Sequence, residues 1–331
     1  MAALTGRPVL VTGATGFIGS HLVRRLVNDG ADVHALTSSV SSIYPARLAD
    51  FKDRITLHEG NLTDRSAMDA IVEAARPSHV FHLGAYTHVG KSWRRVDECV
   101  QANIQGTVNL LQSLDGSGYE RFVYTGTSEI YGDIDVPFRE DAVVNPISPY
   151  SVSKYGGERY CRMFHSGYGW PVVMVRPFNA YGPWQTPDRI IPEIIGRAVR
   201  GEELRMTQGR QTREFNYVED LIDGFLLLGT TAGIDGELFN LGNGQELSMR
   251  ELATTILDLM GNPIEPRFGA LPDRPTEIWH MYSDNSKIRA LGWAPRHSLT
   301  EGLQKTIEWY RAQHAAHNAQ FFSPPRGDEA P

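Results

Sequence analysis

The 331 residues are 41% hydrophobic and 21% charged, with 32 basic against 39 acidic side chains and a formal net charge of −7. That is the balance of a globular chain long enough for one large domain and a smaller one. It argues against a nucleic-acid partner, which calls for a basic face, and no apolar run is long enough to suggest a membrane partner.

The first strand pattern starts close to the N-terminus, with no signal-peptide core before it. The two cysteines, Cys99 and Cys161, lie in helical stretches and read as reduced thiols. A cytoplasmic protein is expected. Neither cysteine has metal-ligand spacing with the histidines, so no metal is expected.

Along the first half, short β-branched or apolar runs at Val9–Thr12, Val33–Leu36, Ile55–His58, Val80–Leu83, Phe122–Thr125 and Val172–Val175 predict strands. Helical patterns lie between them, such as Ile18, Leu22 and Leu26 at four-residue spacing. Strands alternating with helices predict an α/β protein with a doubly wound, Rossmann-like parallel sheet. Beyond residue 178 the alternation loosens, and helices are predicted at Ile190–Arg200, Val218–Leu228, Ser248–Met260 and Leu299–Ala312. The expected division is a dinucleotide domain over 1–177, a smaller mixed α/β substrate domain over 178–316 with some segments returning to the sheet, and a polar, Pro-rich tail over 317–331.

The first strand runs directly into Thr12-Gly13-Ala14-Thr15-Gly16-Phe17-Ile18-Gly19, which opens the first helix. Gly13 allows a tight turn, Gly16 lets backbone approach a pyrophosphate, and Gly19 permits close packing of helix on sheet. The N–H groups and dipole of the helix, at Thr15, Phe17 and Ile18, suit phosphate. The second strand ends in Thr37-Ser38 with no carboxylate to repel a 2′-phosphate. With Arg47 placed as a further aid, the reading favours NADP, with NAD possible.

Thr127, Ser128 and Glu129 follow the fifth strand, and Tyr150 precedes Lys154 by four residues, on one helix face. The ammonium is expected to lower the phenol's pKa and make it a base for a secondary alcohol. Competing readings are an ordinary half-buried tyrosine and a solvated carboxylate at Glu129. His88 reads as a candidate contact, and as a packed histidine otherwise.

The glycine motif, Asn103 in Ala-Asn-Ile-Gln-Gly-Thr, the Tyr150/Lys154 pair and Arg-Pro-Phe-Asn-Ala-Tyr-Gly-Pro from Arg176 together resemble the extended short-chain dehydrogenase/reductase family of nucleotide-sugar epimerases and dehydratases. The resemblance spans about residues 7–312. It implies cofactor contacts from Asn61, Leu62, Leu83, Ala85 and Asn103, with Asn61 standing where the family usually has aspartate. It also implies substrate contacts from Thr87, His88, Asn179, Arg213 and Arg274, the two arginines against a diphosphate.

Thr127-Ser128-Glu129 is similar to the Thr-Ser-Glu of GDP-mannose 4,6-dehydratases, where dTDP-glucose dehydratases have Thr-Asp-Glu. Tyr-Gly-Pro-Trp-Gln from Tyr181 looks more like enzymes of dTDP- or UDP-sugars, so the nucleotide base stays open. The resemblance implies that Glu129 takes the proton from carbon 5 after Tyr150, Thr127 and Lys154 assist oxidation at carbon 4. A nucleotide-sugar 4,6-dehydratase is the expected function, with a 4-epimerase and, further off, a UDP-glucuronate decarboxylase as alternatives. The family pairs two helices per subunit, here Val100–Leu114 and Tyr150–His165, so a homodimer is expected.

Overall fold

The computed structural model describes residues 3–38, 44–273 and 277–316. Six strands, β1 (Pro8–Thr12), β2 (Asp32–Thr37), β3 (Thr56–Glu59), β4 (His79–His82), β5 (Arg121–Thr125) and β6 (Val172–Pro177), form a parallel sheet with the strand Leu238–Leu241. The spatial order is Leu238–Leu241, β6, β5, β4, β1, β2, β3. Each chain direction matches because helices return the chain across a face between strands. The order reverses between β1 and β4, which places a crevice at their C-terminal ends.

Both faces are covered, so the central strands are buried along nearly their whole length. β4, β5 and most of β1 and β6 are buried at every position. One face packs under α1 (Phe17–Asn28) and the helix Val218–Thr230. In chain order the next helices are α2 (Tyr44–Leu48), α3 (Arg65–Ala75), α4 (Val89–Ser92), α5 (Val96–Val100), α6 (Gly106–Ser113) and α7 (Pro149–Tyr168). The other face packs under α3, α6 and α7 through Met68, Leu110, Leu111, Cys161 and Phe164. A π-helical turn at Gln101–Gln105 joins α5 to α6.

A second core gathers Ile191, Ile194, Leu252, Ile256, Leu303 and Ile307 from three C-terminal helices, Ile190–Arg200, Met249–Leu259 and Leu299–Ala315. The four predicted C-terminal helices are thus present with boundaries moved by at most three residues. The strand Leu238–Leu241 went unpredicted: in Leu-Phe-Asn-Leu the polar Asn240 interrupts the apolar run. Leu221, Phe225, Phe239 and Leu241 belong to the first core, so the chain beyond 177 contributes to the sheet layer as well as to the second core. The 317–331 segment lies outside the described residues. Among those described, no helix is long and apolar enough to cross a membrane.

Candidate active site

A cavity of about 1380 Å³ runs between the two cores. At one end are Gly13, Gly16, Phe17, Ile18 and Gly19, with Leu83 and Ala85 opposite. Gly13 has φ +65, and a side chain there would run into the backbone of Leu83 and Gly84 at 2.8–2.9 Å. A Cβ on Gly19 would sit 2.1 Å from the Gly13 carbonyl oxygen. Glycine is therefore required where β1 and β4 diverge. α1 has no side-chain cap, which leaves its first-turn amides for an anion. Thr125 Oγ1 and Gln185 Oε1 line the same cavity, buried and without a hydrogen-bond partner among the described residues. A glycine cradle, an uncapped helix and the unpaired Thr125 hydroxyl fit a dinucleotide.

Tyr150 and Lys154 lie one turn apart on α7. A capping box fixes the helix start: the Ser148 hydroxyl accepts from Ser151 N–H, the Ser151 hydroxyl accepts from Ser148 N–H, and Pro149 sits in the first turn. The Tyr150 phenol lies close enough to Thr127 for the side chain to favour its ionised form. Burial pushes its pKa up to about 12, Glu129 adds to the rise, and Thr127 and Arg189 oppose it. Burial likewise lowers Lys154 to about 8. Its ammonium lies 4.7 Å from the centroid of the Tyr124 ring. The expected lowering of the phenol's pKa is corrected here, because desolvation of the phenolate outweighs Thr127 and the pull of Arg189.

Thr127, Ser128 and Glu129 all line the cavity. The Thr127 side chain accepts from Glu129 N–H at 3.2 Å, tying the two into one turn. Ser128 is buried, with its hydroxyl 3.7 Å from Met281 Sδ. A buried polar chain supports this end of the sheet. Gly84 N–H donates to Thr12 Oγ1, and Thr12 and Thr107 flank His82 at 2.8 and 3.0 Å. Burial drops His82 to about 3, so the ring is neutral and bonds to both hydroxyls. Thr107 then donates to the Asn103 carbonyl.

The Asn103 amide accepts from Tyr86 N–H and donates to Tyr86 O and to Ser153, which in turn donates to Tyr150 O. Asn103 is thus engaged with the protein on both sides of its amide. The structure brings it to the support of Tyr86 and α7 rather than to the cavity wall.

Other predicted cofactor residues are dispersed. Thr37 and Thr15 share a hydroxyl contact of 3.0 Å, and Ser38 is exposed at the end of β2. Asn61 accepts from Thr63 N–H in an exposed turn, while Leu62 packs beneath Gly84 and Gly106. Arg47 is buried and donates to the carbonyls of Thr15 and Trp184. That corrects its expected role toward a 2′-phosphate.

On the substrate side, Thr87, His88, Asn179 and Arg213 line the cavity. His88 caps α4 by accepting from Lys91 N–H and faces Asp188 at 3.8 Å; burial lowers its pKa. Asn179 donates to Glu214 O at 3.2 Å. Arg213 pairs with Glu277 at 2.6 Å and donates to Ile278 O. Arg274 lies outside the described residues. Sequence reasoning missed Thr125, Gln185, Asp188 and Arg189, all of which line the cavity. The last three follow the Tyr-Gly-Pro turn (Tyr181 to Pro183), which was the available signal.

A parallel sheet with a glycine turn at its switch point, facing a buried tyrosine and lysine across one crevice, defines a Rossmann-type nicotinamide-dinucleotide protein. Residues 9–242 match the NAD dependent epimerase/dehydratase family, and the chain belongs to that family. It is 32% identical over 315 residues to dTDP-D-glucose 4,6-dehydratase of Mus musculus, covering 92% of this chain and 88% of that one. It is 35% identical over 311 residues to UDP-glucose 4-epimerase of Mycolicibacterium smegmatis, covering 91% and 98%. The crystal structure of a dTDP-glucose 4,6-dehydratase from Streptomyces venezuelae, solved with NAD bound, matches with a TM-score of 0.86 at 32% identity, covering 93% of this chain and 98% of that one.

Proposed function

We propose that this protein is a nucleotide-sugar 4,6-dehydratase that converts an NDP-hexose to an NDP-4-keto-6-deoxyhexose and water. Glu129 carries the reading. Its carboxylate is on the cavity wall, in one turn with Thr127, and near enough to Tyr150 to raise the phenol's pKa. Inversion at carbon 4 needs one acid–base group, whereas elimination across carbons 5 and 6 needs a second.

A bound dinucleotide would accept hydride from carbon 4 and return it to carbon 6. Tyr150 takes the proton of the 4-hydroxyl as its phenolate, and Thr127 hydrogen-bonds the 4-oxygen. Lys154 and the positive charge of an oxidised nicotinamide would favour that phenolate against the desolvation that holds the phenol neutral on its own. Lys154 adds positive charge beside the reacting end of the cavity. Once carbon 4 is a ketone, Glu129 removes the acidified proton of carbon 5 and delivers it to the carbon-6 hydroxyl, which departs as water. Hydride at carbon 6 and a proton at carbon 5 then complete the 4-keto-6-deoxyhexose. Arg213, its fork steadied by Glu277, suits the substrate diphosphate.

For the cofactor, Thr37 and Ser38 leave room for NADP, but Arg47 is engaged elsewhere. We therefore read the site as accepting NAD and NADP alike.

The homodimer reading is supported by Val96 and Val100 on α5 and Val152, Tyr160 and Met163 on α7, each 40–53% exposed. Light scattering at micromolar concentration checks it, with a monomer mass as the adverse result.

The function is tested by incubating the protein with dTDP-, UDP-, CDP- and GDP-hexoses and weighing the products. Loss of water is expected with one of them. Glu129→Gln should then lower release of the keto product by about 10²–10⁴-fold, while reduced dinucleotide accumulates because oxidation at carbon 4 survives. Unchanged product mass with inversion at carbon 4 would make the enzyme an epimerase. Full turnover by the variant would remove Glu129 from the mechanism.

A further inference from the structure

The residues that line the substrate side of the cavity from Gln185 to Ile191 follow directly on Trp184. Trp184 has φ +69, a left-handed backbone that a bulky residue adopts only when its surroundings hold it there. The holding groups come mostly from the dinucleotide half. Arg47 donates from Nε and Nη2 to the Trp184 carbonyl at 3.1 and 2.7 Å. From Nη1 it donates to the Thr15 carbonyl at 3.1 Å, inside the turn between Gly13 and Gly16. Arg24 of α1 donates to the Arg47 carbonyl at 2.9 Å and places its guanidinium 5.3 Å from the Trp184 ring centroid. His21, kept neutral by burial, bonds Pro183 O at 2.9 Å. The Tyr310 hydroxyl donates to Gln185 O from the C-terminal helix.

We propose that Arg47 is a positioning residue that fastens the Gln185–Ile191 wall to the dinucleotide turn, so that occupancy of one subsite stiffens the other. The planar fork is the reason an arginine serves: one guanidinium reaches two carbonyls on separate loops, which a lysine ammonium on a flexible stem cannot hold in the same geometry. Exposure of Arg47 is 1%, so its N–H groups have to find protein acceptors, and the carbonyls of these two loops are among them. Dinucleotide phosphates ordering the turn at Thr15 fix one end of the fork and hence the other. By linkage, a sugar nucleotide ordering the wall must favour dinucleotide binding by the same factor. The second half of this statement rests on the reading of the cavity as a joint dinucleotide and nucleotide-sugar site.

The test is amide hydrogen exchange across 184–191 with and without saturating NAD, in wild type, Arg47→Lys and Arg47→Met. In wild type, NAD should slow exchange of this segment by about tenfold, the scale of local opening being set by its contacts. In each folded variant, saturated with NAD at whatever concentration that takes, the slowing should fall below about twofold. Arg47→Lys preserves the charge and guards against failure of the methionine variant to fold. Wild-type slowing retained in either variant, or no slowing in wild type, overturns the proposal.

A second measurement takes UDP, dTDP and GDP affinities with and without NAD. The ratio should exceed one in wild type and approach one in the variants. If none of the three binds wild type, the nucleotide-sugar reading fails, and hydrogen exchange, which needs only NAD, still decides the role of Arg47.

Discussion

The two ends of the cavity hold their side chains by different means. At the dinucleotide end the residues come in short runs, Gly13–Gly19, Thr127–Glu129 and Tyr150–Lys154, and regular elements aim them. Behind them the polar groups are bonded inward, from Thr12 through His82 and Thr107 to Asn103 and Ser153. At the substrate end the partners lie far apart in the chain and on loops, as with His88 and Asp188 or Arg213 and Glu277. The first arrangement buys rigidity and keeps the reacting groups in register. The second leaves the wall dependent on long-range ties, which suits a surface that must admit and release a bulky ligand.

The sharpest way to break this comparison is to cut a buried tie at the rigid end. Glu158 and Arg176 join α7 to β6 through a bidentate pair, with both side chains under one-tenth exposed. Glu158→Gln leaves the guanidinium without its counter-charge and should cost about 3–5 kcal/mol of stability, read by urea denaturation. A loss below about 1 kcal/mol, the scale of exposed pairs such as Arg200–Glu202, would erase the contrast between the two ends.

Next in size is the buried lysine. Lys154 has its pKa lowered to about 8 from 10.5 by burial. Between those values the unfolded chain binds a proton that the folded chain does not, so stability rises with pH across that window. The shift corresponds to roughly 3 kcal/mol of strain from the buried ammonium, present in full below pH 8. Lys154→Met should lack this rise, so its stability relative to wild type should be greatest below pH 8 and decline toward pH 10.5. Parallel pH profiles for the two proteins would show that the ammonium is better solvated than its burial implies.

The smallest expected difference concerns the cofactor. With no carboxylate at Thr37–Ser38 and Arg47 bonded to two carbonyls, affinities for NAD and NADP should agree within about tenfold, or 1.4 kcal/mol. Titration of both into cofactor-free protein checks this. A larger preference for NADP would point to a cation at the 2′-phosphate, and one for NAD to a carboxylate in its place.

Sequence alone determined the parallel sheet, the glycine turn and the Tyr150–Lys154 turn of helix. Each depends on spacings of a few residues, where strand and helix periods dictate which side chains share a face. The strand Leu238–Leu241 escaped because Asn240 interrupts its short apolar run, and its place beside β6 is set by packing. Only the tertiary structure decided that Asn103 braces Tyr86, that desolvation outweighs the pull of Arg189 on Tyr150, and that Arg47 turns inward. Those outcomes depend on burial and on acceptors up to 137 residues away, which no local pattern encodes.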